Sequence, residues 1–208
     1  ASGLGLLAPW HAAQAGTPGV DEPPLPGPDL PVALPVPQSQ TLDNGLTVIV
    51  VPRRGTPLVT ALLVVRGGAE QDPVDKAGTA ALTATLLGRG AVHGGRAQDA
   101  VALAREAESM GGDLSLGSSV EATQAGLTVT APQLSRALSL LADVVRQPTF
   151  PTAEVERTRA ERLDELRLRL SSPGAVAGMA ARRAFWGDRP YGASPTPASI
   201  ARIGCEDL

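Results

Sequence analysis

The chain has 208 residues, 43% of them hydrophobic, and a formal net charge of −3 from 18 basic and 21 acidic side chains. That is enough for one domain of ordinary size with a sizeable core and a tail. The slight acidity, with no basic stripe, excludes nucleic acid as an expected partner. Cys205 is the single cysteine, which excludes an internal disulfide and a cysteine-based zinc site but leaves the redox compartment open.

Residues 1–15 contain a short apolar run, Gly3 to Trp10, followed by Ala13-Gln14-Ala15, which has the small-x-small form of a signal-peptidase site. They are expected to be the remnant of a secretory signal, which implies an exported, periplasmic or extracytoplasmic protein. That run is too short to cross a bilayer, and no later segment is long and apolar enough, so no transmembrane segment is expected. Residues 16–39 hold Pro23, Pro24, Pro26, Pro28, Pro31, Pro35 and Pro37. Proline fixes φ and removes amide donors, so this stretch reads as an extended linker, with the folded domain spanning 40–208.

Thr41 to Pro52 reads as a hairpin turning at Asp43-Asn44-Gly45, whose return strand is Leu46 to Val51. Pro57 to Val65 is a more continuously apolar strand suited to a buried position. Asp75 to Leu87 has helical character and stops at Gly88 and Gly90, and Ala91 to Gly95 follows as a loop. Ala97 to Met110 predicts a second helix, ended by Gly111-Gly112. Asp113 to Ser118 and Ala122 to Thr130 read as two strands. Helices then follow from Pro132 to about Arg146, with Leu134, Leu138 and Leu141 on one face, from Ala153 to Leu170 behind Thr152, and from Pro173 to Phe185-Trp186. The order predicts an α+β fold, a mostly antiparallel sheet with helices packed on one face. In the 153–170 helix, Arg157, Arg159, Arg162, Arg167 and Arg169 interleave with Glu154, Glu156, Glu161, Asp164 and Glu165. That pattern reads as a solvated face laced with i,i+4 ion pairs.

Six short motifs stand in order along residues 40–208. Leu42-Asp43-Asn44-Gly45-Leu46-Thr47-Val48 opens the hairpin. Gly67-Gly68-Ala69-Glu70-Gln71-Asp72-Pro73 precedes Lys76-Ala77-Gly78-Thr79-Ala80. Then come Met110-Gly111-Gly112, Gln147-Pro148-Thr149-Phe150-Pro151, and Arg189-Pro190-Tyr191-Gly192. In sequence, order and approximate spacing they resemble the insulinase/pitrilysin/mitochondrial processing peptidase-like family. The resemblance implies that residues 40–208 form the first of two similar α/β domains.

Active members of that family carry His-x-x-Glu-His directly after Gly-x-Ala. Residues i and i+4 share a helix face, so two imidazoles can grip one Zn²⁺, while the Glu between them takes a proton from the bound water. A Glu from a later helix is the third ligand. Here the corresponding run is Ala81-Leu82-Thr83-Ala84-Thr85. The family's two histidine positions are Ala81 and Thr85, its general-base position is Ala84, and Glu165 falls where its third ligand is expected. Read from its own helix, Glu165 is an exposed carboxylate paired with Arg162 or Arg169, and a vestigial site position is the other reading. His93, in the loop, has no ligand partner at i±4 and reads as a surface histidine. No catalytic residue, no metal site and no cofactor are expected, zinc being the metal of active relatives.

The family's Gly-Gly-x-x-Asn-Ala, which opens the substrate-holding edge strand, also departs here. Gly111-Gly112-Asp113-Leu114 leads into Ser115 and Leu116. An edge strand still offers backbone groups to an extended peptide, so Ser115, Leu116 and Gly117 are the candidate peptide-contacting residues. Gly-x-Ser-x-Gly and phosphate-loop patterns are absent. The expected function is a non-catalytic, zinc-less subunit that helps form a peptide chamber with a zinc-bearing homologous peptidase subunit. The alternatives are a purely structural scaffold and an active zinc metallopeptidase with ligands from elsewhere.

Overall fold

The computed structural model describes residues 27, 34–53, 55–188 and 190–208. The expected signal remnant and most of the proline-rich segment lie outside the described residues, as does Arg189. Among the described residues no helix is long and apolar enough to cross a membrane. The described residues divide into two units, one ending at residue 53 and one beginning at residue 55.

The first unit holds the predicted hairpin, β1 (Gln38–Thr41) and β2 (Thr47–Val50), paired antiparallel from Gln38↔Val50 to Thr41↔Thr47. Gly45 takes φ 84° in the turn, and the Asn44 side chain accepts a hydrogen bond from the Leu46 amide. Pro37 is the last proline before the hairpin, and the first strand begins immediately after it, at Gln38.

The second unit is built on a three-stranded antiparallel sheet of order β3-β7-β6. Its strands are β3 (Leu58–Arg66), β6 (Leu114–Ser118) and β7 (Ala122–Thr130). Helices α1 (Thr79–Leu86) and α3 (Leu134–Arg146) pack on the sheet. Helix α4 (Thr152–Leu170) packs on α1, and α5 (Pro173–Trp186) and the short α6 (Pro197–Ala201) pack on α4. The mixed α+β architecture with helices against an antiparallel sheet is the one the element order predicts.

Two apolar clusters hold this unit. One joins Leu103 and Ala107 of α2 (Ala100–Ser109) to Leu127, Val129, Leu140 and Val144. The other joins Leu82 and Leu86 of α1 to Val155 and Ile203. Phe150 packs against both. It is the one non-glycine with positive φ among the described residues, at 40°. That backbone state costs about 1–2 kcal/mol, and the ring's double contact offsets it.

Several sequence expectations need correction. Among the described residues β3 lies at an edge of its three-stranded sheet, and Leu62 and Leu58 are 56% and 53% exposed. Its continuous apolarity therefore did not signal burial on both faces. The α3 face turned to the core is Ala137, Leu140, Leu141 and Val144, while Leu138 is exposed. Ala91–Gly95 is not a loop. Gly94 and Gly95, at φ 59° and 75°, close a hairpin between β4 (Gly90–His93) and β5 (Arg96–Asp99). Two successive positive-φ residues suit a tight hairpin turn. Helix α2 accordingly starts at Ala100, where Asp99 caps it by accepting from the Ala102 amide at 2.8 Å. His93 is thereby part-buried, and its Nδ1 lies 2.8 Å from Asp143 Oδ2, tying the hairpin to α3.

Candidate functional site

Helix α1 begins at a built joint. Gly78 precedes it at φ 109°, a conformation open to glycine without penalty. The Asp72 carboxylate accepts hydrogen bonds from the Gly78 amide at 2.7 Å and the Ala80 amide at 2.9 Å, so a negative charge meets the helix's positive end. Lys76 Nζ reaches Asp207 Oδ1 at 2.5 Å, and Ser199 Oγ donates to the Ala77 carbonyl at 2.8 Å. The Asp-Pro and Lys-x-Gly motifs thus fix where α1 starts and tie it to the end of the chain. Lys76's pKa is raised, first by its hydrogen bond to Asp207. The Asp207 carboxyl is held below its ordinary range, first by the Gly204 amide and then by Lys76.

From this start, Ala81 and Thr85 fall one helical turn apart on α1, between β6 and α4. Ala84, at the expected general-base position, is 1% exposed, a methyl group packed in the interior. The Thr85 hydroxyl donates to the Ala81 carbonyl at 3.0 Å, a bond back along its own helix. Glu165 lies on the facing helix α4 with an exposed carboxylate, 66% by side chain.

Arg162 links these positions. Its Nη1 lies 2.8 Å from Glu165 Oε2, and its Nη2 lies 2.8 Å from Thr85 Oγ1. One guanidinium therefore joins α1 to α4 between two of the three residues expected at the family's ligand positions. Of the two readings of Glu165, the pair with Arg162 is present. The other α4 arginines mostly pair at i,i+3, as Arg157 does with Glu154 and Arg167 with Asp164, both at 2.7 Å. Arg157 with Glu161 is the single i,i+4 pair on this helix, so the expected i,i+4 lacing is mainly of the shorter spacing. Each exposed pair contributes only tenths of a kcal/mol.

Two clefts flank this joint. One, of about 260 Å³, is lined by Ala81, Arg162, Glu165 and residues of α5 and α6. The other, of about 290 Å³, runs beside Thr85 and is lined by Leu114 and Leu116 of β6. β6 pairs with β7 on one side only, which leaves its other edge free among the described residues. Of the three candidate peptide-contacting residues, Leu116 is half-buried and lines this cleft, whereas Ser115 and Gly117 are exposed on the strand and do not line it.

The donor set does not fit zinc. At the expected imidazole positions stand a methyl group and a neutral hydroxyl, and a positive guanidinium already pairs with the Glu165 carboxylate. Among the described residues no group of three His, Cys, Asp or Glu side chains could hold a metal ion. The sequence offers Arg162 as a partner of Glu165; its second contact, to Thr85 across the helix pair, is the part that no local pattern signals.

An antiparallel sheet carrying helices on one face, with a capped helix entering beside an edge strand that is free among the described residues, defines an α+β domain. The model of the insulinase family, peptidase family M16, matches residues 47–194, and the chain belongs to that family. Among solved structures it is similar to a peptidase M16 inactive domain from Pseudomonas fluorescens. That match has 27% identity and a TM-score of 0.76, over 82% of this chain and 41% of that one. It is also similar in fold to a protease from Helicobacter pylori, with 21% identity, a TM-score of 0.71 and coverage of 84% and 42%. For pitrilysin the values are 22%, 0.66, and 80% and 18%. The chain thus spans less than half the length of each of these structures. Comparison with curated protein sequences gives no significant match.

Proposed function

We propose that this chain is a non-catalytic, zinc-less subunit of an insulinase-type peptidase pair. It lines a peptide chamber together with a zinc-bearing homologue, which performs the hydrolysis. The observation that carries this reading is the α1–α4 joint. Ala81, Ala84 and Thr85 supply neither imidazole nor carboxylate, and Arg162 bridges Thr85 to Glu165. A fixed positive group there opposes a metal ion electrostatically instead of coordinating it. The inactive-domain description of the similar Pseudomonas fluorescens structure supports the same reading.

The domain keeps what a chamber wall needs. The free edge of β6 offers backbone donors and acceptors to an extended peptide, and the cleft beside Thr85 and Leu116 receives alternate side chains. Purification of the full-length protein from its native host tests the pairing. Recovery with a homologue that carries an intact His-x-x-Glu-His is the expected result, with peptidase turnover higher in the pair than in that homologue alone. Recovery as a stable monomer, or turnover indifferent to this chain, would contradict the proposal.

A further inference from the structure

The cleft on the Ala81 side of the joint has an unusual electrostatic lining. Arg162, Arg169 and Arg182 face a single carboxylate, Glu165, and Met179 and Ile200 supply apolar wall. Arg162 is already committed to Glu165 and Thr85. Arg169 from α4 and Arg182 from α5 have no ion-pair partner among the described residues. Two unspent arginines from different helices therefore line one hollow. Its volume, about 260 Å³, lies below the roughly 300 Å³ at which sites for whole small molecules begin. It suits the end or a single side chain of a longer ligand.

We infer that this cleft binds the carboxylate of a peptide, with Arg169 and Arg182 as its anchors and the Met179–Ile200 wall receiving the neighbouring apolar group. Guanidinium groups form paired, charge-assisted hydrogen bonds with carboxylates. Arg162 and Glu165 neutralise each other, so the free arginines set the sign of the site. The carboxylate is carried either by a peptide C-terminus or by an acidic side chain. This inference does not depend on the proposed partner subunit, because the binding groups all belong to this chain.

The test uses fluorescence anisotropy with three dansylated tetrapeptides of alanine and leucine: one with a free C-terminal carboxylate, one amidated, and one amidated with a single glutamate. One or both carboxylate-bearing peptides should bind about tenfold or more tightly than the neutral amide, and added salt should weaken the preference. Which of the two binds identifies the source of the carboxylate. The double variant Arg169→Ala/Arg182→Ala should abolish the preference. Arg167→Ala, which removes a charge paired with Asp164 outside the cleft, should leave it intact. The double variant Arg169→Lys/Arg182→Lys keeps the charge and guards against loss of folding; it should retain part of the preference. No binding, equal binding of all three peptides, or a preference that survives Arg169→Ala/Arg182→Ala overturns the inference.

Discussion

If Arg162 holds the place of a cation, putting histidines back should not by itself recover zinc. In the variant Ala81→His/Thr85→His, two imidazoles one helical turn apart and Glu165 would nominally complete a three-ligand set. Glu165 Oε2, however, is 2.8 Å from Arg162 Nη1. A zinc ion bound to that carboxylate at about 2 Å would sit roughly 4 Å from the guanidinium. Two unit charges at that distance repel by about 4 kcal/mol at an effective dielectric of about 20, and by about 1 kcal/mol in water. For a dication the range is about 2–8 kcal/mol. The Arg162 side chain is 36% exposed, so screening places the penalty inside that range, at one to several decades of affinity. Isothermal titration calorimetry with zinc should give weak binding for Ala81→His/Thr85→His and binding at least about tenfold tighter once Arg162→Leu is added. Tight stoichiometric binding by the double variant with Arg162 intact would refute the electrostatic reasoning.

Three further outcomes follow from the packing and the charges. Phe150→Ala should lower stability in urea unfolding by about 2–3 kcal/mol, somewhat less than a fully buried phenylalanine. Because φ at this position is 40°, Phe150→Gly should be no worse than Phe150→Ala, against glycine's usual penalty. Thr158 is 1% exposed and its hydroxyl has no hydrogen-bond partner among the described residues, so Thr158→Val should raise the melting point, by about 1 kcal/mol of stability. The Lys76–Asp207 pair should leave a signature in stability against pH. Asp207's depressed pKa contributes stability above the ordinary carboxylate range that is lost as pH falls through its lowered value. Lys76's raised pKa contributes stability below the ordinary ammonium range that is lost as pH rises through its raised value. The pair therefore stabilises between about pH 4 and about pH 10. Lys76→Met should flatten the alkaline limb and reduce, without abolishing, the acid limb, since the Gly204 amide still favours the Asp207 carboxylate.

The architecture was legible because local rules and tertiary packing agree over most of the second unit. The β6–β7 pair, α3, α4 and α5 follow from apolar periodicity and from glycine and proline punctuation. The β4–β5 hairpin was not, because Arg96–Asp99 lacks the apolar alternation of a strand and passed for the first turn of a helix. Its clue was the Gly94-Gly95 turn. β3 misled in the opposite sense, since an edge strand with one uncovered apolar face reads like a buried one. At the site, the residue types at the expected ligand positions, Ala81, Thr85 and Glu165, were visible in the sequence. The Arg162 bridge depends on α1 and α4 lying side of side in space, with 76 residues between Thr85 and Arg162, and no local pattern reports such a contact.

The most direct measurement is a zinc titration of the unaltered protein after exhaustive dialysis against chelator, read by calorimetry and by the metal content of the recovered protein. No stoichiometric uptake is predicted, with unfolding stability unchanged by zinc or by chelator. One tightly held zinc per chain, lost to chelator together with stability, would contradict a joint held by Arg162.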